Sequence, residues 1–196
     1  ILTNLRNAVI TGIVLTVIMV VIVTYAHLDA TFSLDHEWSA FFIRWLHVLS
    51  GVMWIGLLWY FNFVQIPNMP KIPDEQKPAI SKVIAPAALF WFRWAALLTV
   101  LFGLAIAGHA KYLAPALALQ DPYKLIGVGM WLGLIMAFNV WFLIWPNQKK
   151  ILGIVEATDE EKGKAKRIAF LASRSNTLMS IPVLLFMQAG GHGMPF

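Results

Sequence analysis

The stretch WSAFFIRWLHVLSGVMWIGLLWYFNFV, residues 38–64, decides the fold, because it is apolar over a length that crosses a bilayer as a helix. A lipid-spanning segment must satisfy its backbone internally, which favours a helix over an isolated strand. Similar apolar runs predict further spans at about 9–26, 86–109, 124–145 and 173–189. The sequence therefore predicts an all-α integral membrane protein, a single domain over 1–196 that forms a five-helix transmembrane bundle.

The composition supports this class and excludes others. Hydrophobic residues make up 59% of the chain and charged residues 13%, whereas soluble domains carry about a quarter charged residues. There is no cysteine, which excludes disulfides, thiolate haem ligation, Cys-ligated iron–sulfur clusters and covalent c-type haem within the chain. The net charge of +5 comes mostly from residues beside the spans, so we expect a lipid bilayer as partner and no nucleic acid.

The basic residues predict the orientation of the bundle. The connection after the first span holds no Lys or Arg, and the connection after the third holds few. The other two connections are basic: Lys71, Lys77 and Lys82 follow the second span, and Lys149, Lys150, Lys162, Lys164, Lys166, Arg167 and Arg174 follow the fourth. Because basic loops stay cytoplasmic, we expect a bacterial inner-membrane protein with a cytoplasmic N-terminus and a periplasmic C-terminus.

His47 is the first candidate cofactor ligand, because a neutral imidazole inside an apolar span is costly without a ligand or partner. Arg44, Gly51 and Trp54 lie on the same helical face. A histidine with a glycine one turn away suits a flat cofactor such as haem b, and Arg44 would meet a haem propionate nearer the membrane surface. The alternative is a histidine hydrogen-bonded to a neighbouring helix, with glycines for close packing.

A second axial ligand is expected among the other histidines, since the predicted orientation places all five in the outer half of the protein. A b-type haem takes two strong ligands from facing helices. His109 is the best partner for His47 by depth, so these two are the predicted metal ligands. His27 and His192 are a second pair or substitutes for His109, and His36 is expected to be exposed to solvent.

A different set of polar residues lies in the inner half of the predicted bundle. Polar groups inside a membrane are costly, so they suggest a functional site. A quinone head group or a polar path is one interpretation, and hydrogen bonding between helices is the other. The set comprises Asn62, Gln65, Arg93, Asn139, Asn147, Gln148, Arg174 and Asn176.

Three stretches resemble the N-terminal membrane domain of bacterial urate hydroxylases. They are the His47-x-x-x-Gly51-x-x-Trp54-x-Gly56 pattern with residues 59–65, the run NVWFLIWPNQK at 139–149, and the residues SRSNT at 173–177 with Ser180-Ile181-Pro182. The resemblance implies a role in urate oxidation and a c-type cytochrome, which in that family follows as a C-terminal domain. This chain contains no Cys-x-x-Cys-His, so the resemblance implies a separate cytochrome or another electron donor.

Three functions remain open from the sequence. The first is a membrane cytochrome b-like electron-transfer subunit, with haem near the periplasmic face and a membrane or periplasmic redox partner such as a c-type cytochrome. The second is a cofactor-free structural subunit of a larger membrane complex. The third is the membrane domain of a urate-oxidising enzyme.

Overall fold

The computed structural model of the chain describes residues 3–26 and 35–194, with the backbone alone for Tyr25, and these residues form helices without a strand. Five of the helices are long and apolar enough to cross a membrane. The all-α prediction and the number of candidate spans are therefore confirmed for the described part of the chain, while the predicted orientation stays a prediction. The helices are α1 (Leu5–Ala26), α2 (His36–Lys71), α3 (Lys77–His109), α4 (Leu113–Leu117), α5 (Lys124–Ile151) and α6 (Asp159–His192).

The chain divides into two compact units, Ile1–Ser39 and Ala40–Phe196, so the prediction of a single domain stays untested. Helix α1 belongs to the first unit. Its threonines satisfy their hydroxyls locally, since Thr16 Oγ1 donates to Gly12 O and Thr24 Oγ1 to Val20 O, each at 2.9 Å. This back-bonding lets a polar side chain sit in an apolar helix without a partner helix.

Two predicted boundaries differ from the structure. The loop expected over residues 66–85 shrinks to residues 72–76, because α2 continues to Lys71 and α3 begins at Lys77. The last helix begins at Asp159, ahead of the expected span at 173. The Thr158-x-x-Glu161 pattern of the sequence predicts a capping box at this start, and the structure confirms it: Thr158 Oγ1 accepts from Glu161 N at 3.2 Å and Glu161 Oε2 accepts from Thr158 N at 2.8 Å.

Three π-helical segments in the described part of the chain precede prolines of α2, α3 and α5. Proline lacks an N–H and its ring clashes with the carbonyl one turn earlier, so an unbroken α-helical ladder is disfavoured. A π turn shifts the hydrogen-bond register by one residue and relieves that conflict. Each segment ends two residues before a proline: Tyr60–Gln65 before Pro67, Ile80–Ile84 before Pro86, and Asn139–Ile144 before Pro146.

Helices α2 and α3 run antiparallel. His47 contacts Thr99, and farther along α2 the ring of Phe61 lies 5.7 Å from that of Phe92, which comes earlier in α3. The start of α2 therefore lies beside the end of α3.

Helices α5 and α6 also run antiparallel. A methyl group on Gly190 would overlap Ile126, one on Gly129 would lie 3.3 Å from Phe186 Cβ, and Asn139 bonds to Asn176. Helices α2 and α6 also run antiparallel to each other. Trp59 Nε1 donates to Ser180 Oγ and Asn62 Nδ2 donates to Ser173 Oγ, both at 2.8 Å.

The second unit has a mainly apolar core that includes a few buried polar groups, and its outer surface is also widely apolar, unlike that of a soluble domain. Asn62, Asn176 and Ser180 are almost fully buried, whereas the outward residues Val52 and Leu178 are 67% and 73% exposed. Isolated polar side chains inside and a wide apolar surface outside are what a helical bundle in lipid requires. The arrangement supports a bilayer environment for the apolar helices.

Candidate functional site

His47 is fixed between α2 and α3. Its Nδ1 lies 2.8 Å from the backbone oxygen of Thr99, and a carbonyl oxygen only accepts, so Nδ1 carries the proton of the bond. The ring also packs against Gly103, where an added Cβ would lie 3.0 Å from His47 Cε1 and 3.1 Å from Nδ1. The glycine therefore leaves room for the imidazole, and in the neutral tautomer that this bond selects, Nε2 carries no proton.

The His47 face of α2 continues through Gly51 to Trp54. An added Cβ on Gly51 would lie 3.8 Å from Thr99 Cγ2, an ordinary van der Waals contact, so the packing of α2 on α3 does not itself require glycine here. Trp54 is 3% exposed, and its buried Nε1 has no acceptor among the described residues. A buried indole N–H without a partner is uncommon in native structures.

Arg44 is exposed and lies at the outer edge of the same face, close enough to Tyr112 for its charge to act on the phenol. Burial raises the pKa of Tyr112 above its ordinary value, and the positive charge of Arg44 opposes that rise. Tyr112 follows the end of α3. Arg44 thus points toward the end of the bundle at which α3 terminates, as the antiparallel packing requires.

The other histidines have different surroundings. His109 is half-buried as the last residue of α3, six residues beyond Gly103, which is about 9 Å along the helix and roughly 120° around it. His192 is exposed at the end of α6 and its Nδ1 lies 3.2 Å from Gln188 Nε2. His27 lies outside the described residues. The antiparallel packing brings His47, His109 and His192 to one end of the bundle, and their joint role as ligands stays a prediction.

A chain of side-chain hydrogen bonds joins α5 to α6 in the interior. Asn139 Nδ2 donates to Asn176 Oδ1 at 2.8 Å, and Asn176 Nδ2 donates to Met136 O at 2.9 Å. On α2, Asn62 Nδ2 donates to Leu58 O and Ser173 Oγ, and its Oδ1 is buried without a partner among the described residues. Three of the eight residues in the polar set predicted from the sequence, Asn62, Asn139 and Asn176, therefore hold the helices together.

Arg93, another member of the polar set, stacks on aromatic rings. Its guanidinium carbon lies 3.9 Å from the centroid of the Trp145 ring and 5.3 Å from that of Phe90. This cation–π arrangement accommodates the charge within an aromatic environment.

A cavity of about 560 Å³ lies at the opposite end of the second unit, where α2 and α5 end and α3 and α6 begin. Its walls are mainly apolar and aromatic. Each of the four helices contributes one uncharged hydrogen-bonding side chain, and α6 adds two cations at the rim. These polar lining residues are Gln65, Ser81, Gln148, Ser173, Lys166 and Arg167.

Residues 123–196 match the family model described as urate oxidase N-terminal. This part of the chain, somewhat over a third of it, is therefore similar to the urate oxidase N-terminal family. The match covers α5 and α6 and confirms the resemblance of residues 139–149 and 173–182. The His47 motif of α2 lies outside the matched range. Comparisons with curated proteins and with solved structures give no significant match.

Several partners of the predicted residues were not identified from the sequence. Thr99 and Gly103 on α3 surround His47, while Ser173 and Ser180 on α6 receive the polar groups of α2. The sequence of α3 does indicate a close helix contact, because Thr99 and Gly103 have the four-residue spacing of small residues at such contacts. The serines had no such signal, because a serine in an apolar helix commonly bonds to its own backbone.

Proposed function

We propose that this protein is a membrane-embedded redox domain associated with urate oxidation, in which His47 holds a b-type haem. The family match supports the urate-related, enzyme-associated part of the proposal. The candidate spans and the apolar outer surface support its place in a bilayer. The more specific part of the proposal, the b-type haem, rests on the environment of His47.

One observation carries it: the bond of His47 Nδ1 to the Thr99 carbonyl. Histidines that bind metals characteristically donate their other ring N–H to a carbonyl or carboxylate, which fixes the tautomer and the ring orientation. The bond leaves the lone pair of Nε2 available, so His47 would hold the iron of a b-type haem through Nε2. When bound, a b-type haem would supply one-electron transfer.

The remaining residues of the face have supporting roles. Gly103 gives the imidazole its space, and Arg44 offers a positive charge at the outer edge for a propionate. His109 is the first choice for a second ligand, with His192 and His27 as substitutes. The predicted orientation puts this end of the bundle at the periplasmic face, where a c-type cytochrome is the expected redox partner.

The test is the visible spectrum and haem content of the purified chain. We expect reduced-minus-oxidised bands of a b-type haem in the wild type and their loss in His47→Ala with insertion retained. His36→Ala is the matched control, since His36 is exposed at the first residue of α2. Gly103→Ala tests whether the position of the His47 ring affects the haem. Its methyl would displace the imidazole by a few tenths of an ångström, so the bands should shift while haem is retained.

The outcomes separate the proposal from the structural-subunit alternative. A featureless wild-type spectrum refutes haem binding and favours a packing role for His47. In that case His47→Ala should cost only the interhelical hydrogen bond, about 1 kcal/mol of stability. Reporters inserted near Glu160 and fused after Phe196 test the orientation, and activity in the cytoplasm and the periplasm, respectively, is expected. The reverse pattern would refute the periplasmic haem site.

A further inference from the structure

We propose that the cavity between the ends of α2 and α5 and the starts of α3 and α6 binds the head group of a membrane quinone. The inference goes beyond the haem proposal, because the cavity lies at the other end of the bundle. Along α3, Gly103 beside His47 and Leu89 in the cavity wall are separated by about 21 Å of helix. The two sites therefore share no residue.

The size and walls of the cavity fit a ring with an apolar tail. Its volume, about 560 Å³, falls within the usual range of small-molecule sites, about 300–1,000 Å³. Phe61, Leu89, Phe92 and Ile144 line it and are themselves buried. Such walls stack well against a flat, weakly polar ring and exclude a strongly hydrated ligand.

The polar groups inside are those that a quinone and its quinol need. Gln65 Oε1 is buried and has no partner among the described residues, so it offers an acceptor. The Ser173 hydroxyl accepts from Asn62 Nδ2, which leaves its own hydrogen to donate. A quinone carbonyl accepts from a hydroxyl or from the NH₂ of an amide, and a quinol hydroxyl donates to an amide oxygen. One glutamine serves both redox forms by turning its amide.

The charges favour a neutral head group in the interior. Gln65, Ser81, Gln148 and Ser173 are uncharged, and all are partly buried. The two cations that touch the cavity, Lys166 and Arg167, are exposed, and neither is paired with a carboxylate in the described part of the chain. Cations at the rim suit the level of the lipid head groups, while the quinone ring occupies the uncharged interior.

Photo-cross-linking of the full chain in detergent with an azido-ubiquinone tests the proposal. Labelled peptides should contain the segments around Gln65 and Ser173, and excess ubiquinone-1 should protect them. Gln65→Leu keeps the apolar bulk and removes the hydrogen bond, so it should weaken ubiquinone-1 protection about five- to tenfold. Gln120→Leu, in the exposed connection before α5, should leave protection unchanged. Gln148→Leu is the second cavity variant if Gln65→Leu does not fold.

Several results would overturn the quinone site. They are labelling confined to other segments, equal protection in Gln65→Leu and Gln120→Leu, or protection by phosphatidylglycerol but not by ubiquinone-1. The last result would assign the cavity to an anionic lipid. The same titration in His47→Ala separates the two proposals, because quinone binding should survive there whether or not the wild type holds haem.

Discussion

Gly127→Ala probes the closest helix contact in the second unit. Gly127 is buried on α5 against α4, and an added Cβ would overlap the carbonyl of Ala116 and lie 2.9 Å from Leu119 Cδ2. Because the obstacle is backbone, α4 must move, although Trp131 Nε1 ties it to α5 through Leu117 O at 2.9 Å. Overpacking of this kind costs about 1–3 kcal/mol, and replacing glycine by alanine in a helix returns about 1 kcal/mol.

The upper part of that range applies to a backbone clash, so we expect a net loss of about 2 kcal/mol for Gly127→Ala. In a protein of this size that lowers the midpoint of thermal unfolding in detergent by about 4–8 °C. Gly133→Ala on the same helix is the matched control. Its Cβ would meet only Met187 Cε, at 4.0 Å, so its midpoint should be unchanged or higher. If Gly127→Ala melts at or above Gly133→Ala, the close approach of α4 to α5 is wrong.

Three further predictions concern single contacts. Asn176→Leu strands Asn139 Nδ2 in the interior and should cost about 1–3 kcal/mol in reversible unfolding, and an unchanged stability would exclude that bond. Thr158→Ala removes the cap of α6 and should cost about 1 kcal/mol, seen as faster hydrogen exchange in its first turn and nowhere else. Arg44→Gln should raise the pKa of Tyr112 further in an ultraviolet titration, because a neighbouring positive charge is lost; a lower pKa would contradict their proximity.

The raised pKa of Tyr112 also determines the direction in which the free energy of unfolding changes at high pH. Burial favours the neutral phenol, so the folded state holds its proton more tightly than the unfolded state does. The resulting stabilisation is fully present below about pH 10, the ordinary value, and is lost as the pH rises through the higher folded value. Tyr112→Phe should therefore flatten the stability profile above about pH 10.

Much of the fold follows from the sequence because lipid leaves few choices for an apolar segment. The long apolar runs predict helices, and the Thr158–Glu161 pattern predicts the start of α6. The end of α2 is not evident from the sequence, because Pro67 and its neighbouring prolines are typical helix breakers. The π segment Tyr60–Gln65 absorbs Pro67 instead, and its register depends on packing that a local pattern does not contain.

The candidate site was predictable on one helix only. The shared face of Arg44, His47 and Gly51 follows from helical spacing. The pairing of that face with Thr99 and Gly103 depends on the register of α2 against α3, which no residue of α2 encodes alone. The cavity was even harder to predict from the sequence, because its polar lining comes from four separate helices.

The π segments give single-residue changes in length an unusual meaning in this fold. A π turn closes its hydrogen-bonded ring with one residue more than an α turn, so deleting one residue within Tyr60–Gln65 would return this stretch to an α-helical register. That register brings back the conflict with Pro67 that the π turn relieves, and it changes which side chains face inward, among them Asn62 and Gln65. A single-residue deletion here would therefore disturb the interior of the bundle, whereas deletions in surface loops are usually tolerated.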